Sequence, residues 1–491
     1  MFDFARRRAE LSPDRLAFIA AADGRGFTYR AFDDRAARAA QLLRSLGVGR
    51  GDRIALLMLN EVAFFELLFA AARIGAISVP LNWRLAATEL GTIISDCSPR
   101  VLVHDAAHTE IAEHLALPRL ALGEYEKRIA GIVPKPASDD AWQADRVWYL
   151  LYTSGTTGRP KAVIQTFGMA LANYVNLSQA IGLTAEDRTL NFLPLFHTAG
   201  INLHTLPTLI AGGSVTVFPK FDAEQIIAAI EAGSVSCFFG VPAVYQALAL
   251  HRRFAALDLS RVRSWASGGA PLPEPLLRAY LDRGARVCAG YGMTETGPTL
   301  CLMDPDSVAA KIGSSGKPQI LSRLRIVDAD GKDAPAGASG EVLVKGSNVT
   351  PGYWNNAAAT RAAFTADGWL KTGDVGRLDA EGYVTIVDRI KDMFISGGEN
   401  VYPAEVENAL LAHPEVLEAA VIGVADERWG EVGRAFVVAR ENARPEPERL
   451  RAFCRERIAG YKVPKTILVV SDLPRTAAGK VQKHLLRQQA L

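Results

Sequence analysis

The sequence predicts an α/β protein with a large N-terminal domain and a small α+β C-terminal domain. Three observations predict it. From about residue 50 to 300, short β-branched runs alternate with longer amphipathic segments. After about residue 310, turn pairs cut the chain into short strand-like pieces, and after Asp388 a proline-bounded helix opens a mixed unit of strands and helices.

The first stretch reads as strand over 53–57, helix over 62–74 and strand over 76–79. The rhythm returns as strand over 214–218, helix over 223–231 and strand over 235–239. Strands that alternate with helices imply right-handed crossovers and mostly parallel sheets, so this body is read as two α/β subdomains. Beyond residue 310, the pairs Asp330-Gly331, Asp367-Gly368 and Glu381-Gly382 flank strands over 341–345 and 383–387, a small antiparallel, barrel-like section. In the last unit Pro403 can start a helix, Val406, Ala409 and Leu410 give it an apolar face, and Pro414 ends it. Strands over 419–424 and 434–439, a helix carrying Cys454 with Gly460 as its end signal, and a strand over 466–470 complete that unit. The expected division is residues 1–390 and 391–491.

Composition narrows the function class. At 491 residues the chain needs more than one core, and 49% hydrophobic with 22% charged residues is a globular balance. A net charge of +2 supplies no field for nucleic acid, and no Lys/Arg stripe interleaves with aromatics, so no nucleic-acid partner is expected. Five cysteines without CxxC or metal-ligand spacing fit a reducing cytoplasm and core packing. No secretory signal is read at the N-terminus, where Arg6-Arg7-Arg8 is expected to be a solvated helix face. The apolar stretch from Ile54 to Pro80 is interrupted by Asn60, Glu61, Glu66 and Arg73, so no transmembrane helix is expected.

The most informative segment is Thr153-Ser154-Gly155-Thr156-Thr157-Gly158-Arg159-Pro160-Lys161. Glycines let backbone N–H groups converge on anionic oxygens, the hydroxyls add donors, and Arg159 and Lys161 add positive charge. It is not a Walker A loop, because Lys161 follows proline and precedes Ala162 where that motif has a hydroxyl residue. Further segments accompany it: Leu195-Phe196-His197-Thr198, Ser267-Gly268-Gly269-Ala270-Pro271, Tyr291-Gly292-Met293-Thr294-Glu295-Thr296, Thr372-Gly373-Asp374, Asp388 to Asp392 with Ser396 to Pro403, and Pro474 to Lys480.

Their order and spacing resemble the adenylate-forming superfamily of acyl-CoA synthetases, luciferase and nonribosomal adenylation domains, over essentially the whole chain. The resemblance implies ATP, Mg²⁺ and coenzyme A as cofactors and a small-molecule carboxylate as substrate. It implies that Thr153, Ser154, Gly155, Thr156, Thr157, Gly158 and Lys161 hold the β- and γ-phosphates, that Glu295 carries the metal and that Thr294 touches the α-phosphate. Gly268, Gly269, Ala270, Tyr291 and Gly292 would flank adenine, and Asp374 would bind the ribose with Arg389 assisting. Lys480 would bridge carboxylate and α-phosphate, Gly397 and Gly398 would wall the pantetheine arm, and Lys391 would be the hinge of a mobile C-terminal domain. Candidate acyl-pocket residues are His197, Gly200, Phe239, Val241, Gly268, Gly290 and Gly292. Ala162 stands where many relatives carry glycine.

The reaction so implied joins a carboxylate to ATP, giving acyl-adenylate and pyrophosphate, and then to CoA, giving acyl-CoA and AMP. The pocket segments are mostly small or apolar, which makes a medium- to long-chain fatty acid the expected substrate and an aryl-propenoic acid of the feruloyl or coumaroyl kind the alternative. An amino-acid substrate is disfavoured, since His197 stands where the aspartate for an ammonium group would. A catalytically inactive adenylate-fold binding protein and an ADP-forming phosphotransferase are the alternatives from other classes. A homodimer is expected, and peripheral membrane contact is left open.

Overall fold

The computed structural model describes residues 2–134, 142–153, 160–475 and 481–488. Two large sheets organise the N-terminal part. The first runs Arg119–Ala121, Val101–His104, Arg53–Leu57, Ile77–Pro80, Val147–Thr153, Lys161–Thr166, parallel throughout except for its final antiparallel hairpin. The second runs Lys317–Pro318, Cys301–Leu302, Val287–Tyr291, Ser264–Ser267, Cys237–Gly240, Arg188–Asn191, Ser214–Val217, Leu16–Ala20, Gly26–Thr28. Its centre is parallel and its two edges are antiparallel. These are the two α/β units that the strand–helix rhythm predicts.

The section after them is a four-stranded antiparallel meander of Ser322–Val327, Gly340–Gly346, Leu370–Leu378 and Val384–Arg389. Its pairing order is that of an open sheet. Glycines with φ of 78°, 82° and 84° sit in the three predicted turns, at Gly331, Gly368 and Gly382. The C-terminal sheet pairs Val416–Asp426 with Gly430–Ala439, which also pairs in parallel with Thr466–Val470 and touches the hairpin of Phe394–Ser396 and Glu399–Val401. Helix Pro403–Leu411 buries Val406, Ala409 and Leu410, and helix Pro447–Arg455 buries Leu450 and Cys454. That second helix ends before Gly460, which instead opens the short turn Gly460–Lys462.

The apolar stretch noted in the sequence divides into strand Arg53–Leu57, the central helix Val62–Ile74 and strand Ile77–Pro80, the helix being buried along every face except at Arg73 and ended by Gly75 at φ 78°. No helix among the described residues is long and apolar enough to cross a membrane. Its two charges are neutralised in place. Glu66 accepts from Arg35 Nε at 2.5 Å, Arg35 Nη2 at 3.1 Å and the Tyr125 phenol at 2.6 Å, while Arg73 pairs with Asp3 and Asp33. Breaking a buried pair strands a charge, so Glu66→Ala is expected to lower stability by about 3–5 kcal/mol. Urea unfolding curves check this, and a midpoint equal to that of the parent protein refutes it.

The arginine run is not wholly solvated. Arg6 and Arg7 face Glu10 at the surface, but Arg8 Nε donates to the Ile210 carbonyl at 2.7 Å. The guanidinium thereby satisfies a carbonyl near the end of helix Thr205–Ala211, where the macrodipole favours a cation.

Candidate active site

Parallel strands Ser264–Ser267 and Val287–Tyr291 are neighbours, so their carboxyl ends set Gly268, Gly269 and Ala270 beside Gly290, Tyr291 and Gly292. This is where open α/β sheets hold ligands. The glycines are dictated by contact. A Cβ on Gly292 would lie 1.6 Å from the Pro298 carbonyl oxygen, and one on Gly268 would lie 3.2 Å from the Gly290 oxygen and 3.3 Å from Phe239 Cζ.

The meander delivers the polar partners of this edge. Asp374, 9% exposed, accepts from the Tyr291 phenol at 2.6 Å and faces Arg389 Nε at 3.5 Å, its register partner on the next strand. Thr372 Oγ1 takes the Asp374 N–H at 3.1 Å and fixes the backbone there. Burial first, and the Asp374 charge next, push the Tyr291 phenol well above its ordinary pKa, so it stays a donor. A carboxylate held this way can accept from a vicinal diol while an aromatic face lies alongside.

A second polar corner lies at the other sheet. Thr153 and Lys161 are register partners at the mouth of a hairpin; Ser154, Gly155, Thr156, Thr157 and Gly158 lie outside the described residues. Strand Lys161–Thr166 reaches the turn Thr294–Thr296, with Gln165 Nε2 donating to the Thr294 carbonyl at 2.9 Å. Glu295 in that turn is 7% exposed, and burial is the main cause that raises its carboxyl pKa above the ordinary value. Among the described residues no group of three or more His, Cys, Asp or Glu converges as a metal cage. A lone carboxylate fits Mg²⁺, which keeps several waters and takes the rest of its ligands from substrate phosphates.

The predicted acyl wall is gathered in part. Phe239 meets Gly268, as above, and its ring lies edge-on to His204 with centroids 5.9 Å apart. Val241 follows the end of the strand that carries Phe239, and its Cγ1 would sit 3.5 Å from a Cβ on Gly269. Gly200 opens the irregular turn Ala199–Leu203, where any Cβ would lie 2.5 Å from the carbonyl oxygens of Leu193 and Pro194. His197, half-buried, rests against Phe196 with centroids 4.6 Å apart. His204, which sequence reasoning passed over, is buried, and desolvation lowers its pKa to about 4, so it is neutral.

Lys480 lies outside the described residues. Its flanks are tied: Arg475 bridges Val481, Gln482 N–H donates to the Pro474 carbonyl at 2.7 Å, and Lys483 pairs with half-buried Glu407 at 2.7 Å. Gly397 and Gly398, with φ of 62° and 88°, make the hairpin turn before Glu399–Val401. Lys391 is exposed in a tight turn where Asp392 and Met393 N–H groups both return to the Arg389 carbonyl, at 3.0 and 3.1 Å.

Comparison with known proteins decides what these corners belong to. The profile of the AMP-binding enzymes matches residues 5–354, and that of the AMP-binding enzyme C-terminal domain matches residues 405–480. The chain belongs to the AMP-binding enzyme family. Among its relatives, a feruloyl-CoA synthase of Amycolatopsis is 43% identical over 98% of this chain and 97% of its own length. A long-chain-fatty-acid–CoA ligase of Mycobacterium tuberculosis is 36% identical over 99% and 97%. The structure of o-succinylbenzoate CoA synthetase from Bacillus subtilis, in complex with its acyl-adenylate intermediate, superposes with a TM-score of 0.90 at 33% identity, covering 99% of this chain and 98% of that one.

Two residues of this AMP-binding enzyme escaped sequence reasoning. Tyr353 donates to Glu295 Oε1 at 3.0 Å and lies under Lys161, whose Nζ is 5.4 Å from the ring centroid. Trp429 covers Gly397, where a Cβ would meet Trp429 Cε3 at 2.8 Å, and the indole is 44% exposed. Both sit in segments without a local signal beyond a glycine neighbour, and tertiary pairing sets Tyr353 on Glu295 and Trp429 on Gly397.

Proposed function

We propose that the chain is an AMP-forming aryl-propenoic acid–CoA ligase, working in the cytoplasm. For the reaction class, the reading rests on the junction of Tyr291, Asp374 and Arg389 at the ends of the parallel strands, with Glu295 and Lys161 on one side. For the substrate, the carrying observation is the wall in which the Phe239 ring meets Gly268 beside Gly290. A side-chain-free surface closed by one aromatic edge suits a planar conjugated acid better than a flexible chain. The greater identity to a feruloyl-CoA synthase than to a fatty-acid ligase agrees, so the aryl acid replaces the fatty acid as the favoured substrate. Five buried, unpaired cysteines support the reducing compartment.

In this reading, residues 154–158 with Thr153 and Lys161 hold the β- and γ-phosphates, Thr294 the α-phosphate and Asp374 the ribose, while Gly268 to Ala270, Tyr291 and Gly292 flank adenine. Glu295 would hold Mg²⁺, which supplies charge neutralisation between phosphate oxygens. Lys480 offsets the repulsion as a carboxylate oxygen bonds to the α-phosphorus and pyrophosphate leaves. The thiol sulfur of CoA, its proton lost, then attacks the acyl carbonyl and AMP departs. Gly397 and Gly398 wall the thiol's approach, and residues 391–491 turn about Lys391 against residues 1–390 between the two steps.

A panel of coumarate, ferulate, decanoate, palmitate and succinylbenzoate, assayed for AMP release with and without CoA, tests the proposal. Aryl-propenoic acids are expected to lead the fatty acids in kcat/KM by at least about tenfold, a difference of roughly 1.4 kcal/mol in transition-state binding. Fatty acids in the lead would overturn the substrate, and release of ADP would overturn the reaction.

A further inference from the structure

Residues 350–354 strap the two halves of the phosphate corner together. Thr350 N–H donates to the Glu295 carbonyl at 2.8 Å, Ile164 N–H to the Gly352 carbonyl at 3.1 Å and Trp354 N–H to the Ala162 carbonyl at 2.9 Å. Val163 and Tyr353 form an antiparallel bridge, and Thr350 Oγ1 donates to the Ile164 carbonyl at 2.7 Å. The strap aims one side chain at both charged groups of this corner. The Tyr353 hydroxyl reaches Glu295 Oε1, and its ring face carries the Lys161 ammonium.

We infer that Tyr353 is a positioning residue that sets the Glu295 carboxylate for a nucleotide-bound divalent cation and, through its ring, seats Lys161 for the phosphates. The inference rests on the function proposed for Glu295 and Lys161. Its chemistry is specific. A phenol can give its single proton to one carboxylate oxygen, which leaves the other oxygen of Glu295 and the remaining lone pairs for a cation. Without that bond the buried carboxylate keeps only its backbone hydrogen bond and is less firmly oriented, and a metal that demands near-ideal geometry then binds at an ordering cost. The ring contributes separately, since a cation over an aromatic face is held by the quadrupole and needs no hydroxyl.

The two contributions separate in a non-turnover titration of ATP by calorimetry, with no carboxylic acid present, once in Mg²⁺ and once in EDTA. Tyr353→Phe is expected to weaken ATP binding about tenfold in Mg²⁺, leave it unchanged in EDTA, and raise the Mg²⁺ needed for half-maximal ATP–pyrophosphate exchange by the same factor. Tyr353→Leu is expected to weaken ATP in both media, because Lys161 loses its seat. The thermal unfolding midpoint followed by circular dichroism, expected near the parent value in Tyr353→Phe, reports an intact fold. Equal weakening of ATP in both media by Tyr353→Phe, or none in either, overturns the inference. Glu295→Gln serves as the reference: Mg²⁺ dependence lost there but untouched in Tyr353→Phe overturns the inference alone, whereas dependence retained in Glu295→Gln overturns the metal role of Glu295 and the inference with it.

Discussion

Lys480→Ala is expected to slow acyl-adenylate formation by 10²- to 10³-fold, on the order of what one charge-assisted contact made in the transition state supplies. The electrostatic need is plain. Two anions, a carboxylate and an α-phosphate, must come within bonding distance, and the buried carboxylates of this site, Asp374 and Glu295, supply charge of the wrong sign. Lys480 is covalently next to Val481, which bridges Arg475, and three residues from Lys483, which is anchored on Glu407. Its loss therefore removes a charge without loosening the elements around it. ATP–pyrophosphate exchange reads the first half-reaction, and thioester formation from presynthesised acyl-adenylate reads the second. The second should stay near the parent rate if, as proposed, the thiol attack does not use this amine; equal loss in both assays would refute the assignment.

Asp374→Ala is expected to raise the KM for ATP on the order of 10²-fold with a much smaller change in the KM for the acid, because hydrogen bonds to a charged group contribute about 1.5–3 kcal/mol each. In the proposed reading the substitution removes the acceptor for two ribose hydroxyls. It also takes away the partner of the Tyr291 phenol, now at 2.6 Å, and of the Arg389 guanidinium. Asp374→Asn keeps one acceptor oxygen and should fall between the two. Steady-state kinetics with ATP and acid varied in turn decide the matter, and a KM for ATP that does not move in either variant would place the nucleotide elsewhere.

Much of the fold was legible because it is local. The helix over 223–231 and the strands over 53–57 and 466–470 have the predicted bounds, since an apolar period and its flanking glycines or prolines are properties of a dozen consecutive residues. The strand expected over 235–239 runs instead as Cys237–Gly240, two residues later at its start and one at its end. The helix ends at Arg455, short of its glycine signal, and the chain closes it with a turn in which the Arg457 and Ile458 N–H groups both donate to the Cys454 carbonyl at 2.9 Å. Arg8 shows the limit from the other side, as a charge read as solvated that reaches a carbonyl 202 positions away.

The candidate site divides along the same line. Order and spacing of short segments carried the family and the fold class, because glycines, hydroxyls and charges in one stretch keep their pattern whatever the rest of the chain does. Contacts between stretches were decided by the sheets. Tyr291 meets Asp374 across 83 positions, and Tyr353 meets Glu295 across 58. The Phe239–Gly268 contact on which the proposed aryl substrate rests exists because parallel strands put the end of Cys237–Gly240 beside the end of Ser264–Ser267. A linear pattern records which groups a chain owns; hydrogen-bonded register across strands determines which of them touch, and specificity is a property of touching.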